Sequence, residues 1–183
     1  FPINMYESSV KVPMIMSQPG VIQPGMVNSS LLSAYDFMPT PLDYVGIEGT
    51  DRGEKLPGKS FLPALLGQEF YQGESIVVMD EYGPNRMIRG TRYKFIKRYP
   101  YGPNELYDLQ EDPGDLLLAG NEKAEEIGRT MNYELEQWFI NYVNPEIDGA
   151  KEPVFGSGQI GLAGLWSKGE VSHSCDDYIK EKL

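Results

Sequence analysis

Residues 86–115 read RMIRGTRYKFIKRYPYGPNELYDLQEDPGD, and the rest of the chain is organised around this stretch. Gly90 separates two short strand-like runs, a Pro/Gly turn follows at Tyr99–Asn104, and Glu105–Leu109 is a third run. Within Tyr93–Lys97 the apolar residues 93, 95 and 96 keep only part of a two-residue alternation. Basic residues hold positions 92, 94, 97 and 98. The pattern predicts a half-buried antiparallel strand with a solvated basic face. Glu-Asp-Pro-Gly-Asp at 111–115 then stops the sheet, because Pro113 fixes φ and Gly114 frees it. The block closes a sheet and offers no nucleophile.

Working outward, Ser75–Met79 is an apolar, β-branched run and predicts a further strand before the block. After the block, Ile127, Met131, Leu135, Trp138 and Tyr142 recur at i, i+4, i+8, i+11 and i+15, with Phe139 adjacent. That stripe predicts one long amphipathic helix over 122–143, ended by Pro145. The expected fold is α+β: a four-stranded antiparallel sheet from 75–80, 86–90, 92–98 and 105–109, with the helix packed across one face.

Towards the N-terminus the signals differ. Val12–Met16 is apolar at every position but the proline and predicts a strand buried on both faces, as in a parallel sheet. Pro13 near its start removes a donor where the loss is tolerated. One such strand cannot make a parallel sheet, so its partners lie outside this chain or in the later strands. Ser33 and Asp36 have capping-box spacing. Pro39 and Pro41 keep the helix behind them short, with Gly46 as its C′ residue. Leu42, Val45, Phe37 and Met38 are its expected core face. Ser60–Leu66 predicts a second short helix stopped by Gly67. Residues 146–183 are Gly-rich, keep neither period, and read as a tail.

Composition bounds the function. The chain has 183 residues, 40% apolar and 23% charged, which is the range of a globular domain. A net charge of −11 argues against phosphate neutralisation, so no nucleic-acid partner is expected. No apolar run is long enough for a membrane helix, and no membrane partner is expected. The single cysteine, Cys175, leaves no internal disulfide. The sole histidine, His173, stands in the polar run Ser172–Asp177 without a metal-ligand spacing. Gly53–Ser60 matches the P-loop pattern letter for letter, but residues 46–52 are no buried strand and Pro63 shortens the helix that follows.

Six segments in order resemble the C-terminal part of the sulfatase family, in the alkaline-phosphatase-like superfamily. They are Tyr6–Ile15, with its Tyr-Glu and Val-Pro pairs; Pro19–Gly25, a Pro-Gly-x-Ile-x-Pro-Gly turn; and Ser33–Asp43, with Asp-x-x-Pro-Thr. Pro57–Pro63, the Arg92–Ile96 strand and the Glu105–Pro113 closure complete the series. The resemblance implies a hydrolase of sulfuric esters. Its nucleophile is a formylglycine made in a Cys/Ser-x-Pro-x-Arg motif, and a calcium ion assists it.

This sequence contains neither that motif nor the family's metal motifs. Ser17-Gln18-Pro19-Gly20 begins like the first but carries Val21 in place of the arginine. Catalytic, metal and cofactor-binding residues are therefore expected to be none in this chain, with formylglycine and calcium belonging to the parent enzyme. Tyr6, Glu7 and Lys11 (in place of the family's Arg) are the candidates for residues near the substrate pocket.

The expected organisation is 1–70, the C-terminal edge of the α/β sulfatase domain; 71–145, the antiparallel subdomain; and 146–183, the tail. The expected partner is the N-terminal catalytic portion of the same protein, with self-association as a further possibility. A non-catalytic binding module, or a segment of a related phosphodiesterase or phosphatase, is the alternative reading.

Overall fold

The computed structural model describes residues 5–47, 56–70, 73, 75–80, 85–99, 103–111, 122–146, 148 and 149. The chain divides into two compact units, Phe1–Lys11 with Val77–Leu183, and Val12–Ile76.

The first unit is built on four strands, β1 (Ser75–Met79), β2 (Asn85–Gly90), β3 (Tyr93–Arg98) and β4 (Glu105–Asp108), in the order β1-β2-β3-β4. Strands β2 and β3 are antiparallel, with Met87 opposite Ile96 and Ile88 opposite Phe95. Strands β3 and β4 are also antiparallel, with Lys94 opposite Tyr107 and Phe95 opposite Leu106. The expected strands lie within two residues of those observed, because turn residues bracket each of them.

Cross-strand partners share a face, so this register sorts the side chains into two layers. One face carries Ile88, Phe95 and Leu106, which join Val77 in a core with Ala124, Met131, Leu135 and Phe139 of the long helix. Each large apolar side chain fully buried there contributes about 1.5–3 kcal/mol. Met87, Ile96 and Tyr107 lie on the other face and are covered by Met5, with Val10 alongside. The sheet is thus lined on both sides, by the helix and by the N-terminal segment.

That segment forms a single turn, α1 (Glu7–Val10). The long helix, α4 (Glu122–Tyr142), spans the predicted range to within a residue. Glu122 and Glu125 in its first turn complement the positive end of the helix dipole. Tyr142, expected in the apolar stripe, is exposed and lies against the Trp138 ring at 5.3 Å instead.

The second unit holds a one-turn 3-10 helix (Ala34–Asp36), α2 (Pro39–Tyr44) and α3 (Leu62–Leu65). The capping box forms as predicted: the Ser33 N–H donates to the Asp36 carboxylate at 2.7 Å. Gly46 and Gly67 both take positive φ, at +73° each, behind α2 and α3. Two expectations fail in this unit.

Phe37, Met38 and Val45 are exposed, and the buried residues of the 3-10 helix and α2 are Asp36 and Thr40. The reason is polar. The Asp36 carboxylate also accepts the Lys59 N–H at 3.0 Å, and the Thr40 hydroxyl accepts the Phe61 N–H at 3.0 Å. Those bonds bring α2 against residues 58–61 through its polar side. The approach is close, since a Cβ on Gly58 would lie 2.0 Å from the Tyr35 carbonyl oxygen. Only glycine fits there.

The second failure is Val12–Met16, which forms no strand. Val12 is 76% exposed and Ile15 91%. A buried strand needs neighbours on its edges and cover on its faces, and the described residues of this unit supply neither.

Candidate functional site

The basic residues of the organising block do not form a solvated face. Lys94 is completely buried and Arg86 is 2% exposed. Register explains both. Arg89 and Lys94 are direct cross-strand partners on the face that α1 covers, and two like charges so placed would repel. Glu7, brought over them by α1, relieves the repulsion. Its carboxylate accepts Arg89 Nε and Nη2 at 3.0 Å each and stands 3.6 Å from Lys94 Nζ. Such two-pronged guanidinium–carboxylate pairing is the strongest ion-pair geometry available to side chains.

Aromatic residues complete this layer. Lys94 Nζ lies 4.9 Å from the centre of the Tyr107 ring, and Tyr6 meets the same ring edge-on at 6.2 Å. The Tyr107 hydroxyl donates to Glu105, which pairs with Arg98 at 2.6 Å.

On the opposite face Arg86 is held between the Phe139 and Tyr99 rings, 3.7 and 4.6 Å from their centres, and pairs with Asp148. Glu136 of α4 accepts from Lys97 at 2.6 Å and from the Tyr99 hydroxyl. Arg92 pairs with Asp108 at 2.7 Å and Glu111 at 3.0 Å. Every basic side chain from Arg86 to Arg98 is therefore engaged by an acidic one, and their chemistry is spent on the fold.

The three residues picked from the sequence fare differently. Tyr6 and Glu7 enter the network, whereas Lys11 is exposed, and its backbone N–H donates to the Glu7 carbonyl at 2.9 Å. Arg89, Lys94, Tyr107 and Glu105 complete the cluster and were not foreseen in it. The one sequence signal that could have shown them is the alternation of Arg89, Lys94 and Tyr107 with the apolar residues of the helix-facing layer. His173 and Cys175 fall outside the described residues. Among the described residues no group of three His, Cys, Asp or Glu could hold a metal ion, so they do not fit the implied calcium.

The network shifts its own proton equilibria. Burial raises the Tyr99 hydroxyl, and its hydrogen bond to Glu136 raises it further. Burial and Glu105 do the same to Tyr107. For Glu136 burial opposes ionisation, but hydrogen bonds from Lys97 and Tyr99 outweigh it and leave the carboxyl below its usual range.

The two tyrosines are raised by folding, so their stabilisation is complete below the ordinary value of about 10 and is lost as pH climbs past it. Glu136 acts the other way, its contribution being complete above about pH 4.3 and lost as pH falls through the depressed value. The urea midpoint should therefore hold steady at mildly alkaline pH and drop above about pH 10. In a Tyr99→Phe/Tyr107→Phe variant, the drop should be shallower.

The four-stranded antiparallel sheet with one long helix across a face is the architecture expected from the sequence. Residues 3–140 match the family described as N-sulphoglucosamine sulphohydrolase, C-terminal. The chain belongs to that family, within the sulfatases.

Among its relatives are a Δ4,5-hexuronate-2-O-sulfatase of Bacteroides thetaiotaomicron, 34% identical, with 62% of this chain and 25% of the relative covered. Human arylsulfatase K is 31% identical over 79% of this chain and 28% of its own length. A solved protein of B. thetaiotaomicron, described as a sulfatase, superposes with a TM-score of 0.53 at 27% identity. That superposition covers 67% of this chain and 27% of the other. The chain thus spans between a quarter and a third of the length of these relatives.

Proposed function

We propose that this chain is the C-terminal segment of a sulfuric ester hydrolase, and that its role there is structural. The observation that supports this most directly is the family match over 3–140, taken with the engagement of the block's basic groups in internal ion pairs. A phosphoryl or sulfuryl site needs positive groups aimed at the substrate, and the cations of this block are turned onto carboxylates. On this reading residues upstream of Phe1 would hold the formylglycine and the calcium ion, which would supply Lewis-acid polarisation of the sulfate. Tyr6 and Glu7 tie the chain entering from that part to the sheet, beside the pocket.

The test is hydrolysis of an aryl sulfate and of a sulfated hexuronate in calcium, by the 183-residue chain and by a protein extended upstream. Formylglycine in the longer protein is verified by mass spectrometry. Turnover is expected from the longer protein only. Turnover by the 183 residues alone, or none from a formylglycine-bearing longer protein, would overturn the proposal.

A further inference from the structure

Asn28-Ser29-Ser30 is the one Asn-x-Ser/Thr triplet in the sequence, and neither Ser29 nor the following Leu31 is proline. Such a triplet is the acceptor signal for N-linked glycosylation, which a buried asparagine cannot serve because the incoming oligosaccharide is bulky. Chance supplies many such triplets, so the surroundings decide.

Three observations place this one in the open. Asn28 is exposed, and Val27 before it is 92% exposed. Among the described residues the backbone of 26–32 belongs to no helix or strand and makes no bond to other backbone. A segment so held can enter the cleft of a modifying enzyme without breaking any backbone pairing. The third observation is local. The Ser30 N–H donates to the Asn28 side-chain oxygen at 2.8 Å, an Asx-turn closed within the triplet itself. That bond occupies the carboxamide oxygen and folds the third residue of the triplet back over the first. The carboxamide nitrogen, the atom that would carry the sugar, has no hydrogen-bond partner among the described residues.

We propose that Asn28 is an N-glycan acceptor, modified when the chain passes through a lumen that holds a lipid-linked oligosaccharide and its transferase. In that transfer Asn28 Nδ2 bonds to the anomeric carbon of a polyprenyl-diphosphate oligosaccharide. The bond from that carbon to the diphosphate oxygen breaks, the lipid diphosphate leaves with the electron pair, and the amide gives up one proton to the transferase. The glycan also shields Met26 and Val27, both exposed beside it, and keeps this loop out of any protein interface. The proposal does not depend on the chemistry of the parent enzyme.

The test has two arms. The 183-residue chain behind a cleavable signal sequence is synthesised with endoplasmic-reticulum microsomes, where loss of the signal reports translocation. The protein extended upstream is secreted from mammalian cells, and its Asn28 peptide is read by mass spectrometry. The translocated chain should gain the mass of a single glycan, removed by a peptide amidase that leaves Asp at position 28. Asn28→Gln, Ser30→Ala and Ser29→Pro should each lose that gain completely, and Ser30→Thr should keep it. The secreted protein should carry a glycan on the same peptide.

A signal-cleaved chain without the added mass would overturn the proposal, as would a gain that survives Asn28→Gln. Modification in microsomes with a bare Asn28 on the secreted protein would overturn it too, because the complete fold would then withhold the triplet.

Discussion

Replacing Glu7 by Gln should destabilise the first unit by about 3 kcal/mol, the lower end of the cost of breaking a buried ion pair. Lys94 has no exposure to water, and Arg89 lies directly across the strand from it. Without the carboxylate, two adjacent cations remain on a face closed by Met5 and Tyr107. The lower end of the range applies because the Glu7 side chain keeps about a fifth of its exposure and so tolerates some hydration. Glu7→Gln/Lys94→Met should recover part of the loss, since it removes the fully buried cation and its repulsion with Arg89, while Arg89 still lacks its carboxylate. Urea denaturation of the single and double variants measures both. A Glu7→Gln variant as stable as the parent would show that the pair is not what holds α1 to the sheet.

The second large effect belongs to the opposite face. Phe139→Ala should cost about 3–5 kcal/mol from the cavity alone. The ring also stacks on the Arg86 guanidinium at 3.7 Å, a desolvated cation–π contact contributing about 2 kcal/mol more. Phe139→Leu fills most of the cavity but offers no π face, so its smaller loss isolates the second contribution. Thermal unfolding of the two variants distinguishes the parts. A negligible loss in Phe139→Leu would mean that the stacking adds nothing and that Asp148 and Tyr99 suffice to hold Arg86, whereas equal losses in the two variants would mean that the stacking outweighs the cavity.

The sheet was legible because its turns are chemical. Gly90 and the Gly-Pro pair at 102–103 leave few other ways to place β2, β3 and β4, and the stripe from Ile127 to Phe139 fixes α4. The burial of the basic residues was not legible. Alternation locates Arg89 and Lys94 on one face, but only the fold discloses that Glu7 arrives over that face from far away in sequence.

The same blindness to tertiary partners explains the second unit. Phe37, Met38 and Val45 look like core residues by hydropathy, yet α2 docks through Asp36 and Thr40. Those side chains satisfy backbone amides, and an amide carries no sequence signal. Val12–Met16 has the composition of a buried strand, yet among the described residues nothing pairs with it or covers it. Tyr6 and Glu7 stood out through the Tyr-Glu pair of the resemblance as candidates beside a pocket, and the fold places them in the internal network, whereas Lys94 and Tyr107 looked like ordinary strand residues.

The distance along the chain between Glu7 and Arg89 is 82 residues. During synthesis at about 5–20 residues per second, Glu7 leaves the ribosome about 4–16 s before its partner. Throughout that interval α1 has no sheet to dock on, and β2–β3 must form before either face can close. The contact order of this layer is therefore high, and its closure is a late step. A truncation that removed α4 would expose one face, whereas a fault at Glu7 would strand the other at the last stage of assembly, with Met87, Ile96 and a row of cations open to chaperones.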